Sequence, residues 1–364
     1  MGEQMLPIFC STCGTPFPDG AGAHLCPDCG GLFEIEEDYF TNHLIYGQED
    51  SGSPARRSAS AAQVSLGEGW TPLVPMEVFG RTVYFKCEQL NPTGSFKDRA
   101  TVVLVNALRR HGVTAAVEDS SGNAGASFAA YAAAAGMQAR IFMPAYASGP
   151  KKLQIEAYGA RIELVEGPRS AATEAILEEV AKGAVYASHG YLPHGLAGIA
   201  EMASELVAQL GEPPGGVIAP AGHGSILLGL AYGFEAYQRA GKLETLPALI
   251  GVQAQACAPL YALFNYGEQA AEEVKELETI AEGIRIRTPY RAEAVVEHVR
   301  RSGGTMLAVG EEEIAAGHFA LRTRGLYVEK TSAVVWPALE KTLASLADPV
   351  VVILSGSGLK QACL

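Results

Sequence analysis

Short apolar runs alternate with helical patterns from about residue 66 to the end of the chain. The runs TVYFKCEQ, ARIFMP, ARIELVE, GGVIAPAG and DPVVVILSG have the length and composition of buried strands. ASFAAYAAAAG and SILLGLAYGFEAYQRAG are typical of helices that end at glycine. Alternation of this kind predicts an α/β fold in which helices cover mostly parallel sheets.

Composition limits the class of protein and its partners. The chain has 364 residues, of which 48% are hydrophobic and 18% charged, so it can bury a large core. Its net charge of −13 disfavours nucleic-acid binding, because such a surface repels phosphate backbones. No apolar run approaches the roughly 18 residues of a membrane span. The first lysine or arginine is Arg56, which argues against a signal or transit peptide, so we expect a cytoplasmic protein with no membrane partner.

Four of the seven cysteines form two Cys-x-x-Cys pairs near the start of the chain: Cys10 and Cys13, then Cys26 and Cys29. Two such pairs place four thiolates around one Zn²⁺, and Gly14 and Gly30 suit the tight turns that follow them. A redox pair or an unmetallated remnant is the less specific alternative. Residues 1–40 contain no Lys or Arg, so this segment lacks the surface of a nucleic-acid-binding ribbon. We expect a structural zinc ribbon, followed by a linker at 48–63. Loss of the zinc, as in Cys26→Ser, should have little effect on the active-site spectrum.

Lys97 lies in the first of three junctions that indicate chemistry, the segment NPTGSFKDR directly after a predicted strand. Ser95 and Asp98 predict a capping pair that starts a helix here. Lys97 would then lie in the first helical turn, where the helix dipole lowers the pKa of its ammonium group. The neutral amine that results is the form that reacts with a carbonyl group. A solvated lysine at a helix start is the more common situation for an isolated lysine.

The second junction consists of small residues between a predicted strand and a helix: Ser120, Ser121, Gly122, Asn123 and Ala124. Backbone N–H groups at a helix N-terminus of this kind bind anions, so the segment is suited to a substrate carboxylate. A simple capped helix start explains the segment nearly as well.

The third junction follows the apolar strand GGVIA and consists of Gly222, His223, Gly224, Ser225 and Ile226. The glycines allow close backbone approach and the serine adds a hydroxyl, which predicts a phosphate cradle. The segment lacks both the Lys-Ser/Thr pair of a Walker loop and the spacing of the dinucleotide motif. A plain turn with a solvated histidine is the alternative. A lysine, a carboxylate site and a phosphate cradle at the ends of strands together indicate pyridoxal phosphate chemistry.

The chain resembles the fold-type-II pyridoxal-phosphate enzymes, and within them the threonine synthases. The similar stretches follow one another over residues 66–360: GEGWTPL at 67–73, the lysine segment, SGN at 121–123, GVQA at 251–254, TIA at 279–281, Glu329 before Ser332, and SGSGLK at 355–360. The resemblance implies that Lys97 binds the cofactor covalently and that Asn123 bonds its phenolic oxygen. It also places Ser355 opposite the pyridine nitrogen. A hydroxyl there does not hold the nitrogen protonated as an aspartate would, which implies a weaker electron sink suited to elimination and replacement.

The resemblance implies a domain organisation as well. The zinc ribbon would occupy residues 1–36, and some threonine synthases carry a similar ribbon. A larger cofactor domain would comprise 37–104 and 191–364, with a smaller mobile domain at 105–190 and the cofactor in the cleft between them. We expect a small amino-acid substrate and a homodimer.

Two departures from the threonine synthases bear on the substrate. The usual S-T-G-N-T reads here as SSGNA, in which Ala124 lacks the hydroxyl that directs late steps. The phosphate-handling segment N-P-x-R-x-E-G-x-K-T corresponds to residues 192–201, with Gly195 in place of the arginine and Ala200-Glu201 in place of Lys-Thr. Because a substrate phosphate normally binds a bidentate arginine, we predict weak activity on O-phosphohomoserine unless Lys151, Lys152 or Arg285 supplies a cation.

The leading functional prediction is a threonine-synthase-like lyase that eliminates phosphate from O-phosphohomoserine and then adds water. The nearest alternative is another β-elimination or β-replacement enzyme, such as a serine/threonine dehydratase or a cysteate synthase. A non-catalytic binding protein on the same fold is the alternative from a different class, and the intact Lys97, Asn123 and Ser355 argue against it.

Overall fold

A computed structural model describes residues 6–18, 22–46, 63–120, 122–147, 149–167 and 169–361. The predicted linker at 48–63 lies outside these residues except for residue 63. Within the described ranges, no helix is long and apolar enough to cross a membrane.

The N-terminal segment is an antiparallel hairpin of two short strands, β1 (Ile8–Cys10) and β2 (Phe33–Ile35). Helix α1 (Glu37–Thr41) and a single π-helical turn follow it. Phe40 is buried and its ring stacks on Tyr232, with the centroids 4.9 Å apart. Because Phe33 of the hairpin belongs to the same hydrophobic cluster, the N-terminal segment packs on the rest of the protein rather than forming a separate unit.

Strands and helices alternate along the remainder of the chain, as the sequence predicts. The strands are β3 (Leu73–Val78), β4 (Arg81–Lys86), β5 (Ala115–Glu118), β6 (Gln138–Pro144), β7 (Arg161–Val165), β8 (Gly216–Pro220), β9 (Ala248–Ala254), β10 (Thr305–Val309) and β11 (Val350–Ile353). The helices are α2 (Lys97–Arg110), α3 (Asn123–Ala134), α4 (Pro150–Ala157), α5 (Arg169–Ala181), α6 (His194–Leu210), α7 (Ser225–Arg239), α8 (Pro259–Tyr266), α9 (Glu268–Glu273), α10 (Ala292–Arg301), α11 (Glu311–Arg322), α12 (Lys330–Ala333) and α13 (Val335–Thr342).

Two sheets organise these elements. The larger has the strand order β10-β9-β8-β11-β4-β3 and is parallel except for β3, which pairs antiparallel with β4. The smaller is parallel with the order β5-β6-β7. Every residue of β8 and β11 is buried, which explains why these strands read as continuous apolar runs. The predicted α/β fold with parallel sheets is confirmed.

Helix α2 packs against α3 and α6, and α6 packs against α7. The approach of α6 to α2 requires glycine at 198, because a Cβ there would lie 1.9 Å from the carbonyl oxygen of Arg99. Helix α2 also runs without a break across residues 104 and 105, where the boundary between the two larger domains is predicted. The domain division itself stays a prediction.

A buried ion network anchors α2 to the larger sheet and to α6. Arg99 forms a bidentate pair with Glu88 and a second pair with Glu205, at nitrogen–oxygen distances of 2.6 to 2.8 Å. Lys86 of β4 donates to Glu205 over 2.8 Å. Burial alone would raise the pKa of Glu205, but Arg99 and Lys86 outweigh it and lower the pKa to about 2. The network therefore holds the charged side chain of Arg99 in the interior, two residues along the chain from Lys97.

Candidate active site

The first and third junctions and Ser355 meet because β4, β11 and β8 are neighbours in the larger sheet. The lysine segment follows β4, Ser355 follows β11, and the predicted cradle follows β8. The backbone amide of Phe96 donates to the carbonyl oxygen of Ser355 over 3.0 Å, and Ser95 and Gly356 form an antiparallel bridge. These bonds place the lysine segment directly beside Ser355.

Lys97 is half-buried and lines a cavity at this edge of the sheet. Its Nζ lies 4.9 Å from the ring centroid of Phe96. His223 and Ser225 of the third junction line the same cavity, as do His189 and Gly190 from the segment before α6 and Tyr290 from the segment before α10. The structure therefore brings the predicted lysine and the predicted cradle to one cavity.

The predicted capping pair at the start of α2 is wrong. Helix α2 begins at Lys97 without a side-chain cap, and the hydroxyl of Ser95 is buried with no hydrogen-bond partner. Asp98 instead accepts from the amide of Thr93 over 2.7 Å and from its hydroxyl over 2.6 Å. The carboxylate therefore closes the turn that precedes Lys97, and the lysine keeps its predicted place in the first helical turn.

The third junction combines a tight glycine turn with an uncapped helix start. Gly224 adopts a φ of +81°, and a Cβ there would lie 2.4 Å from Val295, so only glycine fits. Helix α7 begins at Ser225 and has no side-chain cap, which leaves its first amides without intrahelical acceptors. The ring of His223 stacks on Tyr290 with the centroids 4.8 Å apart. The side chain of Ile226 is buried in the core, so only its backbone can contribute to the cradle.

The second junction lies in front of α3, which begins at Asn123. Ser121 lies outside the described residues. The hydroxyl of Ser120 accepts from the amide of Gly122 over 3.2 Å, so this amide bonds within the loop, and Ala124 is buried. The segment's proposed contact with a substrate carboxylate stays a prediction.

The amide group of Asn123 points to Glu329, whose role the sequence does not indicate. Its Nδ2 donates to both carboxylate oxygens of Glu329, over 2.9 and 3.1 Å, while its Oδ1 is buried without a partner. Lys151 of α4 pairs with the same carboxylate at 3.1 Å. The amide of Glu329 donates to the carbonyl of Gly356 over 2.9 Å. Glu329 therefore links the start of α3, which lies between β5 and β6 of the smaller sheet, to the loop that contains Ser355.

A second cavity of about 220 Å³ adjoins the first and shares with it His189, Gly190, His223 and Tyr290. Two arginines line it, Arg285 and Arg287. Arg285 pairs with Glu276 at 3.2 Å, and Arg287 donates to the backbone carbonyl of Glu272. The sequence prediction included Arg285 and missed Arg287, although the alternation in IRIR is a visible signal that both side chains lie on one side of an extended segment.

The positions that replace the family's phosphate-handling residues do not offer a cation. A Cβ on Gly195 would lie 2.7 Å from the Cβ of Ala100, so the contact between α6 and α2 excludes an arginine there. Glu201 faces His43 at 3.7 Å and lines neither cavity. Of the three cations considered from sequence, Lys151 pairs with Glu329, Lys152 lies 4.0 Å from Glu156, and Arg285 lines the second cavity.

The four N-terminal cysteines converge on one point, with all four Sγ atoms within 4.8 Å of one another. Three of the Sγ–Sγ distances are 3.4, 3.5 and 3.6 Å. A disulfide would require about 2.05 Å, whereas a tetrahedron with zinc–sulfur bonds of about 2.3 Å has edges of roughly 3.8 Å. The donor set and its spacing fit one zinc ion. Gly14 and Gly30 both have a φ near +75°, as the predicted tight turns require.

The residues around Lys97 also fit pyridoxal phosphate. The glycine cradle and the uncapped start of α7 suit the phosphate group. The unpartnered Oδ1 shows that the amide of Asn123 is not fully satisfied by the protein alone. The cavity that joins Lys97 to Ser225 provides a space between the covalent and phosphate anchors.

Comparisons with known proteins identify the family. A family model described as pyridoxal-phosphate dependent enzyme matches residues 64–356. Threonine synthase of Methanocaldococcus jannaschii is 31% identical over 376 residues, covering 97% of this chain and 92% of that protein. Threonine synthase of Mycobacterium bovis is 34% identical over 309 residues, covering 82% of this chain and 84% of that protein.

Solved structures show the same architecture. A threonine deaminase from T.th. superposes with a TM-score of 0.67 at 27% identity, covering 79% of this chain and 92% of that one. Maize serine racemase, at 21% identity and a TM-score of 0.67 over 81% of this chain and 89% of that one, shares the fold. Together the fold, the site and these matches define a pyridoxal-phosphate-dependent lyase of fold type II. The chain belongs to the family of pyridoxal-phosphate dependent enzymes and has threonine synthases among its relatives.

Proposed function

We propose that the protein is a threonine synthase that converts O-phosphohomoserine and water to threonine and phosphate. The observation that carries the proposal is the second cavity. It is lined by Arg285 and Arg287 and adjoins the Lys97 cavity. Two guanidinium groups supply the charge-assisted, bidentate hydrogen bonds that a dianionic phosphate requires. They replace the cations lost at Gly195 and Ala200-Glu201.

The remaining roles follow from the positions of the side chains. Pyridoxal phosphate, when bound, supplies the electron sink for the electrons released at the substrate's α-carbon. Lys97 holds the cofactor and moves the α-proton through its Nζ. The cradle at 222–226 would bind the cofactor phosphate, Asn123 its phenolic oxygen and Ser355 its pyridine nitrogen. Residues 120–124 would bind the substrate carboxylate.

His189 lines both cavities. Its Nδ1 lies 2.7 Å from Glu118 Oε1, a contact that fixes the orientation of the ring. We propose that its position lets it donate a hydrogen bond to the leaving group. The reaction then balances: the β-carbon gives up a proton, the γ carbon–oxygen bond breaks as phosphate leaves, and the γ-carbon takes up a proton. Water adds its hydroxyl at the β-carbon, and its remaining proton goes to the phosphate.

Product analysis tests the proposal directly. With O-phospho-L-homoserine we expect equal amounts of phosphate and threonine. Arg287→Gln should raise the KM for this substrate roughly 10- to 100-fold, since a charge-assisted hydrogen bond contributes roughly 1.5–3 kcal/mol. Arg300→Gln is the matched control, because Arg300 also donates to a backbone carbonyl, that of Phe264, but lines neither cavity. No phosphate release would contradict the proposal.

A serine/threonine dehydratase is the second candidate. The observations that favour it are Ala124 in place of a threonine and the likeness to a threonine deaminase. Release of ammonia and a keto acid from serine or threonine, without phosphate release from O-phosphohomoserine, would move the assignment to this reaction. Arg287→Gln should then leave the KM for threonine unchanged.

We also propose that Cys10, Cys13, Cys26 and Cys29 bind a structural zinc ion. The tetrahedral spacing of their sulfur atoms supports it. The homodimer and the cytoplasmic location stay predictions from sequence.

A further inference from the structure

Arg291 joins the N-terminal ribbon to the segment that borders the active-site cavity. The residue lies immediately before α10, and its side chain is 7% exposed. Toward the ribbon, its Nε lies 2.6 Å from Glu34 Oε1 and one terminal nitrogen donates to the carbonyl of Phe33 over 2.8 Å. Toward the active site, it donates to the carbonyls of Gly190 over 2.6 Å and Tyr191 over 2.8 Å.

Four of the five N–H groups of this guanidinium are committed to these protein acceptors. Arg291 lines the Lys97 cavity but has little capacity left for a ligand. Arg291 is therefore a positioning residue. Its hydrogen bonds fix β2 and the 190–191 segment relative to each other. Because Glu34 is the carboxylate beside this nearly buried cation, the ribbon supplies the counter-charge.

Stacked aromatic rings connect the 190–191 segment to the phosphate cradle. Tyr191 stacks on Tyr290 with centroids 4.0 Å apart, and Tyr290 stacks on His223 with centroids 4.8 Å apart. A Cβ on Gly190 would lie 2.7 Å from Tyr290, so the backbone of the segment touches the same ring. A shift of residues 190–191 therefore moves the side chain that supports the cradle.

The cysteine cluster in turn fixes β2. Cys10 of β1 pairs with Phe33 in the hairpin register, and the amide of Cys26 donates to the carbonyl of Gly31 over 2.8 Å. A Cβ on Gly31 would lie 2.9 Å from the Sγ of Cys10, so the chain passes closely over the cluster just before it reaches Phe33. The two strands are only three residues long, so we expect the metal to add order to the hairpin beyond its packing on the main core.

We propose that the four-cysteine ribbon is a positioning element of the active site, which acts through Arg291 on the segment 190–191 and sets the affinity of the cradle for the cofactor phosphate. The inference rests on the zinc site proposed above and on the family's cofactor. It does not depend on which amino acid is the substrate. It revises the expectation from sequence that loss of the zinc has little effect on the active-site spectrum.

Arg239 provides a matched control, since it also ties the N-terminal segment to the body of the protein. Its guanidinium lies 3.0 Å from Glu37 Oε2 and 3.1 Å from Thr41 Oγ1, both in α1. It belongs to the last turn of α7, whereas the cradle lies at the first turn, about 20 Å away along the helix. Loss of its guanidinium weakens the attachment of the N-terminal segment without changing a contact in the active site.

The experiment compares Arg291→Lys with Arg239→Lys in the full chain. Titration of each cofactor-free variant with pyridoxal phosphate, followed by absorbance, gives the apparent Kd, and metal analysis gives the zinc content. We expect about a 10-fold weaker Kd for Arg291→Lys with zinc retained, and an unchanged Kd for Arg239→Lys. Equal Kd values for wild type and Arg291→Lys, or equal losses in both variants, would overturn the proposal.

Removal of zinc from each protein with a chelator completes a thermodynamic cycle, which is analysed like a double-mutant cycle. In wild type and in Arg239→Lys, zinc removal should weaken cofactor binding about 10-fold. In Arg291→Lys it should cause little further loss, because both changes break the same connection. Additive losses would show that the metal acts on the cradle by another route and would contradict the inference. Should Arg291→Lys fail to fold, Glu34→Gln replaces it in the same cycle, since it removes only the ribbon's counter-charge.

Discussion

The hydroxyl oxygens of Ser332 and Ser355 lie 2.9 Å apart, beside the segment that contains Lys97. The amide of Gly356 donates to the Ser332 hydroxyl over 3.0 Å. When each group is used once, Ser332 donates its proton to Ser355, and Ser355 donates its own proton outward. In the proposed site, a hydroxyl oriented in this way would donate to an unprotonated pyridine nitrogen, as the weaker electron sink implied by the family resemblance requires.

This relay makes Ser332 a test of the orientation of Ser355. Ser332→Ala should leave the fold intact and weaken cofactor binding by about 3- to 10-fold, because Ser355 loses the donor that directs its proton. Titration with pyridoxal phosphate measures the change. Ser345→Ala, which removes a hydroxyl bonded to the carbonyl of Thr342, is the control. An affinity equal to that of wild type would contradict the relay.

Lys97 is the residue on which the proposed chemistry depends. Lys97→Ala should abolish both turnover and the visible absorbance of the lysine-bound cofactor, since the covalent attachment is lost. Lys341→Ala, which removes a half-exposed partner of Glu313, should retain both. After borohydride reduction, covalent cofactor found on another lysine of the Lys97→Ala variant would show that the assignment is wrong.

The zinc site gives a stoichiometric prediction. Protein purified without chelator should contain about one zinc ion per chain, and Cys26→Ser should lose it, because three thiolates no longer close the tetrahedral site. Cys257→Ser should retain the metal, since Cys257 is buried and lies apart from the cysteine cluster. Atomic absorption measures both. A zinc-free wild-type protein would contradict the assignment.

Local patterns account for the features that could be predicted from the sequence. Apolar runs and glycine stops identify the strands and helices around all three junctions, and cysteine spacing identifies the ribbon. The capping pair of Ser95 and Asp98 fails because a local rule cannot weigh competing partners, and the amide of Thr93 is the better donor to Asp98 in the folded turn.

Contacts between residues that are distant in sequence account for the features that could not be predicted from the sequence. The strand order β4-β11-β8 brings Ser355 beside Lys97, and no property of either segment encodes it. Arg291 and Glu34 are 257 residues apart, and each reads in sequence as an ordinary surface charge. Arg287 enters the second cavity because of the path of one extended segment. Such groups acquire their roles only when the chain has folded.

The buried network around Glu205 gives a prediction for stability and its dependence on pH. Glu205 accepts from Arg99 over 2.7 Å and from Lys86 over 2.8 Å, in the interior between β4, α2 and α6. Glu205→Gln should lower the free energy of unfolding at pH 7 by about 3–5 kcal/mol, because it leaves a buried cation without its partner. Glu201→Gln, one turn earlier on the same helix and half-exposed beside His43, should cost at most about 1 kcal/mol.

The sign of the pH dependence follows from the lowered pKa. The pKa of Glu205 is about 2 in the folded protein against an ordinary value of 4.5, so below pH 4.5 the unfolded chain binds this proton more readily than the folded one. The stability that Glu205 contributes is therefore complete above pH 4.5 and is lost as the pH falls toward 2. Urea unfolding at pH 7 and at pH 3 should show the difference between wild type and Glu205→Gln shrinking at the lower pH. A difference that stays constant between the two pH values would mean that Glu205 is not ionised in the folded protein and that the network does not hold α2 in the way described.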